Sequence, residues 1–211
     1  MRRPDISPTK SNLLRLKEHF GFVQSGHELL DQKREVLLEQ LIEMHRETAQ
    51  LRREVEAGLT GIYEALRAAA LAGGRGLLEA EALGSTDGEA LRVRERTVMG
   101  VIIPLLELEM DEVPEPATAP GWAPAAAAHV RQRVRALLPQ IVRLAESEVS
   151  CRRLATELQK TQRKVNALEY IFIPEYRDTI HFIESALDER EREALFQLKR
   201  LKGGRESGEG G

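Results

Sequence analysis

Positions 13, 16, 20, 23, 27, 30, 34, 37, 41, 44, 48, 51, 55, 58, 62, 65 and 69 follow one another in alternating steps of three and four. Thirteen of these seventeen are apolar: Leu13, Leu16, Phe20, Val23, Leu30, Leu37, Leu41, Met44, Leu51, Val55, Ile62, Ala65 and Ala69. Only His27, Arg34, Thr48 and Gly58 interrupt them. Such a period, close to 3.5 residues and held over about eight heptads, predicts a left-handed coiled-coil helix. Ser7 ahead of Pro8 predicts the start, a capping hydroxyl followed by a first-turn proline. No proline interrupts residues 9–70, so the first arm, 8–70, reads as one helix of roughly 90 Å. Glycines 21, 26, 58 and 61 weaken it by up to about 1 kcal/mol each against alanine. They are either tolerated or mark the close approach of another chain.

A second stripe, Leu144, Cys151, Leu154, Leu158, Val165, Leu168 and Phe172, includes Ser147 and Thr161 as its polar members. After Pro174 it resumes in a shifted phase at Tyr176, Ile180, Ile183, Leu187, Ala194 and Leu201. A proline inside a helix removes a hydrogen bond and bends the axis, so the second arm, 129–202, is expected to kink near Pro174. Gly203-Gly204 should end it, leaving 203–211 as a disordered tail. Two long apolar stripes in one chain most simply fold back as an antiparallel hairpin.

Between the arms, residues 71–128 read as an irregular region. Leu91 and Val93 alternate with arginines, and Leu106, Leu108 and Met110 alternate with acids. This period of two predicts a β-hairpin within about 91–110. Residues 114–128, rich in Pro and Ala, read as loop, and Ala68–Leu83 as a possible short helix. The expected fold is therefore all-α dominated, a long antiparallel two-helix coiled-coil hairpin with a small β-hairpin in its irregular middle.

Composition narrows the function. Of 211 residues, 31% are charged and only 4% aromatic, which suits helices burying a narrow aliphatic stripe. Charge divides unevenly: residues 68–128 hold 10 acids and 4 bases, while 129–211 hold 16 bases and 13 acids. A net charge of −3 argues against a general nucleic-acid binder. No apolar run reaches the length of a membrane span, and the start Met-Arg-Arg-Pro-Asp lacks a secretory h-region. The single cysteine, Cys151, excludes an internal disulfide and points to a reducing compartment.

Catalytic chemistry is missing from the pattern. Ala72-Gly-Gly-Arg-Gly-Leu77 has no Gly-Lys-Ser/Thr after it and is no P-loop. Histidines 19, 27, 45, 129 and 181 show no metal-ligand spacing. His27, on the stripe, is expected to be a hydrogen-bonded polar core residue. Carboxylates such as those of Asp188-Glu-Arg-Glu-Arg-Glu193 read as a solvated, ion-paired helix face. No catalytic, cofactor-binding or metal residue is expected, and the function should be mechanical or interactional.

Particular strings add a resemblance. Ser7-Pro-Thr-Lys-Ser-Asn-Leu-Leu14, Val98-Met-Gly-Val101 with Pro104, and Arg163-Lys-Val-Asn-Ala-Leu-Glu169 resemble the D subunit of V/A-type rotary ATPases. Ile173-Pro174, Thr179-Ile180, Glu189-Arg-Glu-Arg-Glu193 and Leu198-Lys-Arg-Leu-Lys202 extend the likeness over residues 7–202. The resemblance implies a non-catalytic central-stalk rotor coupling ATP synthesis or hydrolysis to proton or sodium transport. Its implied partners are a hexamer of catalytic A and regulatory B subunits, the stalk F subunit, and the funnel C/d subunit on the membrane ring. Nucleotide and magnesium belong to the A and B subunits, so no cofactor is expected here. The location implied is the cytoplasmic face of the plasma membrane, peripheral and without membrane insertion. Lys160, Arg163, Lys164, Arg190 and Arg192 are candidate contacts to acidic loops of the head. Other classes remain: a homodimeric coiled-coil scaffold or tether, or a chaperone-like or nucleic-acid-contacting hairpin.

Overall fold

The computed structural model describes residues 6–76, 78–79, 89–110 and 122–206. It is a mostly helical fold with one antiparallel hairpin: α1 (Lys10–Gly73), β1 (Glu89–Val98), β2 (Val101–Met110), α2 (Trp122–Ala167), a π-helical turn (Leu168–Phe172) and α3 (Ile173–Glu206). Long helices with a two-stranded antiparallel hairpin between them in sequence are compatible with the coiled-coil hairpin that the two stripes predict. Several boundaries differ from those expected. Thr9, not Ser7, caps α1: its Oγ1 accepts from the Asn12 N–H at 3.3 Å, and Leu13 N–H donates to the Thr9 carbonyl at 3.0 Å. α2 begins at Trp122, inside the stretch expected to be loop, because alanines 125–128 are strong helix formers once a helix has started. α3 runs through Gly203 and Gly204 to Glu206, beyond the expected stop, since neither glycine is obliged to take the left-handed cap. The predicted tail beyond Glu206, and most of the 74–88 and 111–121 stretches, lie outside the described residues.

The chain divides into two compact units, one made of Met1–Glu35 with Gln159–Gly211, the other of Val36–Leu158. All seventeen stripe positions of α1 are buried or half-buried, so the stripe is the covered face of the helix. The hairpin-bearing unit has the only three-element core among the described residues. Leu37, Leu154 and Ile103, each 0% exposed, meet with Val101, and Leu41, Met44, Val98 and Leu158 pack around them.

The hairpin closes on Val98↔Val101, with Met99 and Gly100 as its two turn residues, both at positive φ (51° and 79°). This is the primed geometry that matches strand twist. Ladder alternation then leaves the backbone groups of Ile102, Pro104 and Leu106 on the outer edge of β2. Pro104 has no N–H to lose there. The other two are taken by α2 side chains one heptad apart: Arg153 Nη1 donates to the Ile102 carbonyl at 2.8 Å, and the Leu106 N–H donates to Glu146 Oε2 at 2.9 Å. β1 stays exposed from Ala90 to Thr97, and Arg92–Glu109 and Arg94–Glu107 pair diagonally across the strands at 3.1 and 3.2 Å.

Candidate functional site

With no catalytic residues expected, the candidate working parts are the seam, its irregularities and its exposed cations. In the hairpin-bearing unit the seam contains a polar layer. Thr48, 6% exposed, donates its hydroxyl to the Met44 carbonyl at 2.7 Å and shares a 2.5 Å hydrogen bond with Ser147, itself 9% exposed. Cys151, half-buried, places Sγ 3.4 Å from the same Thr48 oxygen. A buried polar pair of this kind is satisfied only when the two helices stand in one register. Arg52 bridges to Glu148 at 2.6 Å just beside it, and the hydrogen bond to that carboxylate raises the guanidinium pKa, with charge attraction second.

Farther along α1 the glycines matter. A Cβ on Gly58 would overlap the Leu137 side chain, and Arg133 Nη1 donates to the Gly61 carbonyl at 3.1 Å. Gly58 and Gly61 thus mark close approach, by α2 of the same chain, whereas Gly21 and Gly26 face open space. Pro139 lies inside α2, an interior proline that the stripe offers no reason to expect.

In the terminal unit, α1 and the helix opposite it run antiparallel. Lys10 pairs with Glu191 at 2.7 Å, Lys17 with Glu184 at 2.7 Å, and Phe20 stacks on Tyr176 with ring centroids 6.3 Å apart. The Lys10–Glu191 hydrogen bond, reinforced by charge attraction, raises the lysine pKa and lowers that of the carboxyl. His27 departs from expectation: its Nε2 is buried and has no hydrogen-bond partner among the described residues.

Pro174 is where the sequence predicts a kink; the structure places the irregularity just before it. The Ile173 N–H bonds to the Leu168 carbonyl, an i→i+5 closure that puts one extra residue into the turn. Pro174 follows in the first turn of α3, unable to donate to an earlier carbonyl. Phe172, assigned to the seam by spacing, is therefore turned out and 45% exposed, and Ile173 is half-buried in its stead. Tyr170 and Ile171 are exposed with it. The phase shift seen in the sequence is this inserted residue. Of the other seam residues, Leu154 and Val165 are buried, while Leu13, Leu16, Phe20, Val23, Leu30, Leu41, Met44, Leu51, Leu144, Cys151, Leu158 and Leu168 are half-buried. Leu37 and Val55 are buried. Beyond Leu187 the stripe loses its cover: every residue from Asp188 to Arg200 is exposed, Ala194 included.

The five candidate contact cations separate. Lys160, Arg163 and Lys164 are exposed, with no ion pair among the described residues. Arg190 donates to the Pro8 carbonyl at 2.8 Å and Arg192 lies 3.7 Å from Glu189, so both are engaged within the chain. Sequence reasoning missed an open, largely apolar recess lined by Leu41, Ile42, His45, Arg46, Cys151, Arg152 and Ala155. Leu41 and Cys151 belong to the two stripes, but the other lining residues lie off them, on two helices more than 100 residues apart in the chain. Among the described residues no group of three or more His, Cys, Asp or Glu is placed to hold a metal, and no helix is long and apolar enough to cross a membrane.

Comparison with known proteins agrees over nearly the whole chain. The family model described as the D subunit of ATP synthase matches residues 12–203. The D subunit of the A-type ATP synthase of Pyrococcus furiosus is 38% identical over 199 residues, covering 93% of each chain. That of Thermococcus kodakarensis is 36% identical over 202 residues, 94% of each chain. That of Methanopyrus kandleri is 33% identical over 201 residues, 94% of this chain and 86% of its own. With seam, hairpin and turn all inside the matched span, the chain belongs to the family of ATP synthase D subunits.

Proposed function

We propose that the chain is the non-catalytic central-stalk rotor of a V/A-type ATPase or ATP synthase, coupling ATP synthesis or hydrolysis in the head to proton or sodium movement through the membrane ring. The observation that carries this reading is the unbroken seam of α1, seventeen positions without an exposed member, in a chain of this family. An axle must resist twisting, and a continuous coiled coil does so without a large globular core. It must also form and break contacts three times per turn with the hexamer of catalytic A and regulatory B subunits. Solvated ion pairs suit that task, because each contributes at most about 1 kcal/mol. Lys160, Arg163 and Lys164 are the first candidates for acidic loops of the head, being uncommitted among the described residues; Arg190 and Arg192 contribute once released from Pro8 and Glu189. The F subunit and the funnel C/d subunit complete the stalk. The chain then works peripherally on the cytoplasmic face of the plasma membrane, binding neither nucleic acid nor nucleotide.

Co-purification of the tagged chain with its native partners tests the reading. Recovery of the A, B and F subunits is expected. Self-association of the purified chain with none of them recovered overturns it in favour of a homodimeric scaffold. Joint reversal K160E/R163E/K164E is expected to leave the chain folded and to uncouple ATP hydrolysis from ion transport.

A further inference from the structure

In the unit of Val36–Leu158 the hairpin covers one side of the helix pair, and the other side holds the open recess. The recess has a volume of about 520 Å³. Leu41, Ile42, Cys151 and Ala155 give it an apolar lining. Around α1, Ile42 and Arg46 stand about 100° and 140° from Leu41, whereas Met44, which packs on the hairpin core, stands about 60° the other way. The recess therefore opens on the side of the seam away from the strands. Ile42 is 44% exposed, and Leu38, one turn earlier on the same face, is 45% exposed. An apolar strip thus continues out of the recess along α1.

Charge is distributed one-sidedly around this lining. It includes three basic groups, His45, Arg46 and Arg152, and no acid. All three are exposed, with no ion pair among the described residues. Beyond them the groove is crossed: Arg52 and Glu148, on the same faces as His45 and Arg152, bridge the two helices at 2.6 Å. That bridge closes one end, and Leu38 leaves the other end apolar. These features select a ligand. A docked helix needs anchors from i to i+7 along a groove, and the bridge stands across that path. A nucleotide needs free backbone N–H groups for its phosphates, but both walls are helix interior, where those donors are already used. What fits is a compact anionic head between the guanidiniums, whose forked donors match a carboxylate, joined to a flexible apolar tail along Ile42 and Leu38.

We propose that the recess between α1 and α2 is a binding site for a single-chain amphiphile with a carboxylate head, of the fatty-acid class. Arg46 and Arg152 hold the carboxylate from the two helices, with His45 beside them. The tail lies on Leu41, Ile42 and Ala155 and leaves along Leu38. Because the ligand touches both helices, its occupancy favours their paired state by mass action. The inference goes beyond the stalk role and does not depend on it.

Calorimetric titration of dodecanoate, kept below its micelle-forming concentration, into the purified full-length chain tests the site. One molecule per chain should bind with a Kd on the order of 100 µM and raise the melting temperature. Butanoate keeps the head but loses most of the tail, and should bind about 100-fold or more weakly. Dodecyltrimethylammonium keeps the tail but reverses the charge, and should show no saturable binding. The double variant R46Q/R152Q should weaken dodecanoate about 10-fold or more. Ala155→Leu fills the recess without altering charge and suits a helix, so it should abolish binding while the circular dichroism stays that of wild type. Absence of saturable dodecanoate binding to the wild type overturns the proposal. So does equal binding of the cationic amphiphile, uptake of many molecules per chain, or wild-type affinity in both variants, since each marks adsorption to the helix surface and not a site.

Discussion

The two units solve the same problem with different means. Each packs antiparallel helices along a heptad seam, but the unit of Val36–Leu158 adds a hairpin whose Val101 and Ile103 close over Leu37 and Leu154. Among its described residues the terminal unit has only helices. Among the described residues its fully buried apolar side chains are Val165 and Ile183, and exposed pairs such as Lys10–Glu191 and Lys17–Glu184 also cross between its helices. Two helices alone enclose a line rather than a volume. A third element turns part of that line into a core.

Truncating one fully buried side chain in each unit sharpens this contrast most. Leu154→Ala removes a side chain surrounded from three elements that cannot all close in, and is expected to cost about 4 kcal/mol. Ile183→Ala empties a site on a two-helix seam that collapses more readily, with an expected cost of about 2 kcal/mol. Chemical denaturation of the two variants measures both; equal losses would mean that the hairpin adds no rigidity. Glycine substitutions should follow in size and differ in sign. Gly58→Ala drives a Cβ into Leu137, and the overlap should outweigh the gain in helix propensity for a net loss of about 1 kcal/mol. Gly26→Ala meets nothing within contact distance and should stabilise by up to about 1 kcal/mol. Thermal melts of the pair decide it.

The smallest effect should come from pH acting on the terminal unit. Glu191 has its pKa lowered from an ordinary 4.5, so its stabilising contribution is present above that value and fades as acidification passes the lowered one. Lys10 has its pKa raised from an ordinary 10.5, so its contribution is complete below that value and is lost as alkalinity passes the raised one. Both groups are fully exposed, and the effect should be visible only as a difference between wild type and Lys10→Met in melts taken below pH 4 and near pH 7. An identical pH profile for the two would show the pair to be without thermodynamic effect.

Periodicity makes the seams legible because burial of a stripe requires a fixed spacing, whatever the partner. It also locates the irregularity near Pro174, since one inserted residue displaces every later apolar position. It does not identify the π-helical turn, because a shifted phase records that a residue was added and not how the hydrogen bonds absorbed it. Spacing misplaces Phe172 for that reason. The hairpin is legible from its period of two, but its anchoring is not: Glu146 and Arg153 look like ordinary surface charges until the outer edge of β2 lies against them. The meaning of Gly58 and Gly61 stays open in the sequence for a similar reason, because spacing alone does not tell tolerance from contact. Only Leu137 and Arg133 decide between them. The exposed end of α3 is equally hidden, because Ala194 and Leu201 keep the stripe going past the start of α1.

The π-helical turn also bears on how the chain can change in length. Deleting any one residue of Leu168–Phe172 would close that turn into ordinary α-helix and return Tyr176, Ile180, Ile183 and Leu187 to an unbroken alternation of threes and fours. The coiled coil thus carries one residue more than its own packing demands. Helices normally resist insertions and deletions, because a single residue swings the whole downstream face by about 100°. Here the swing has already been taken up locally, so a shortened relative would keep the same seam. The segment is the natural place for descendants of this chain to differ by one residue and still fold alike.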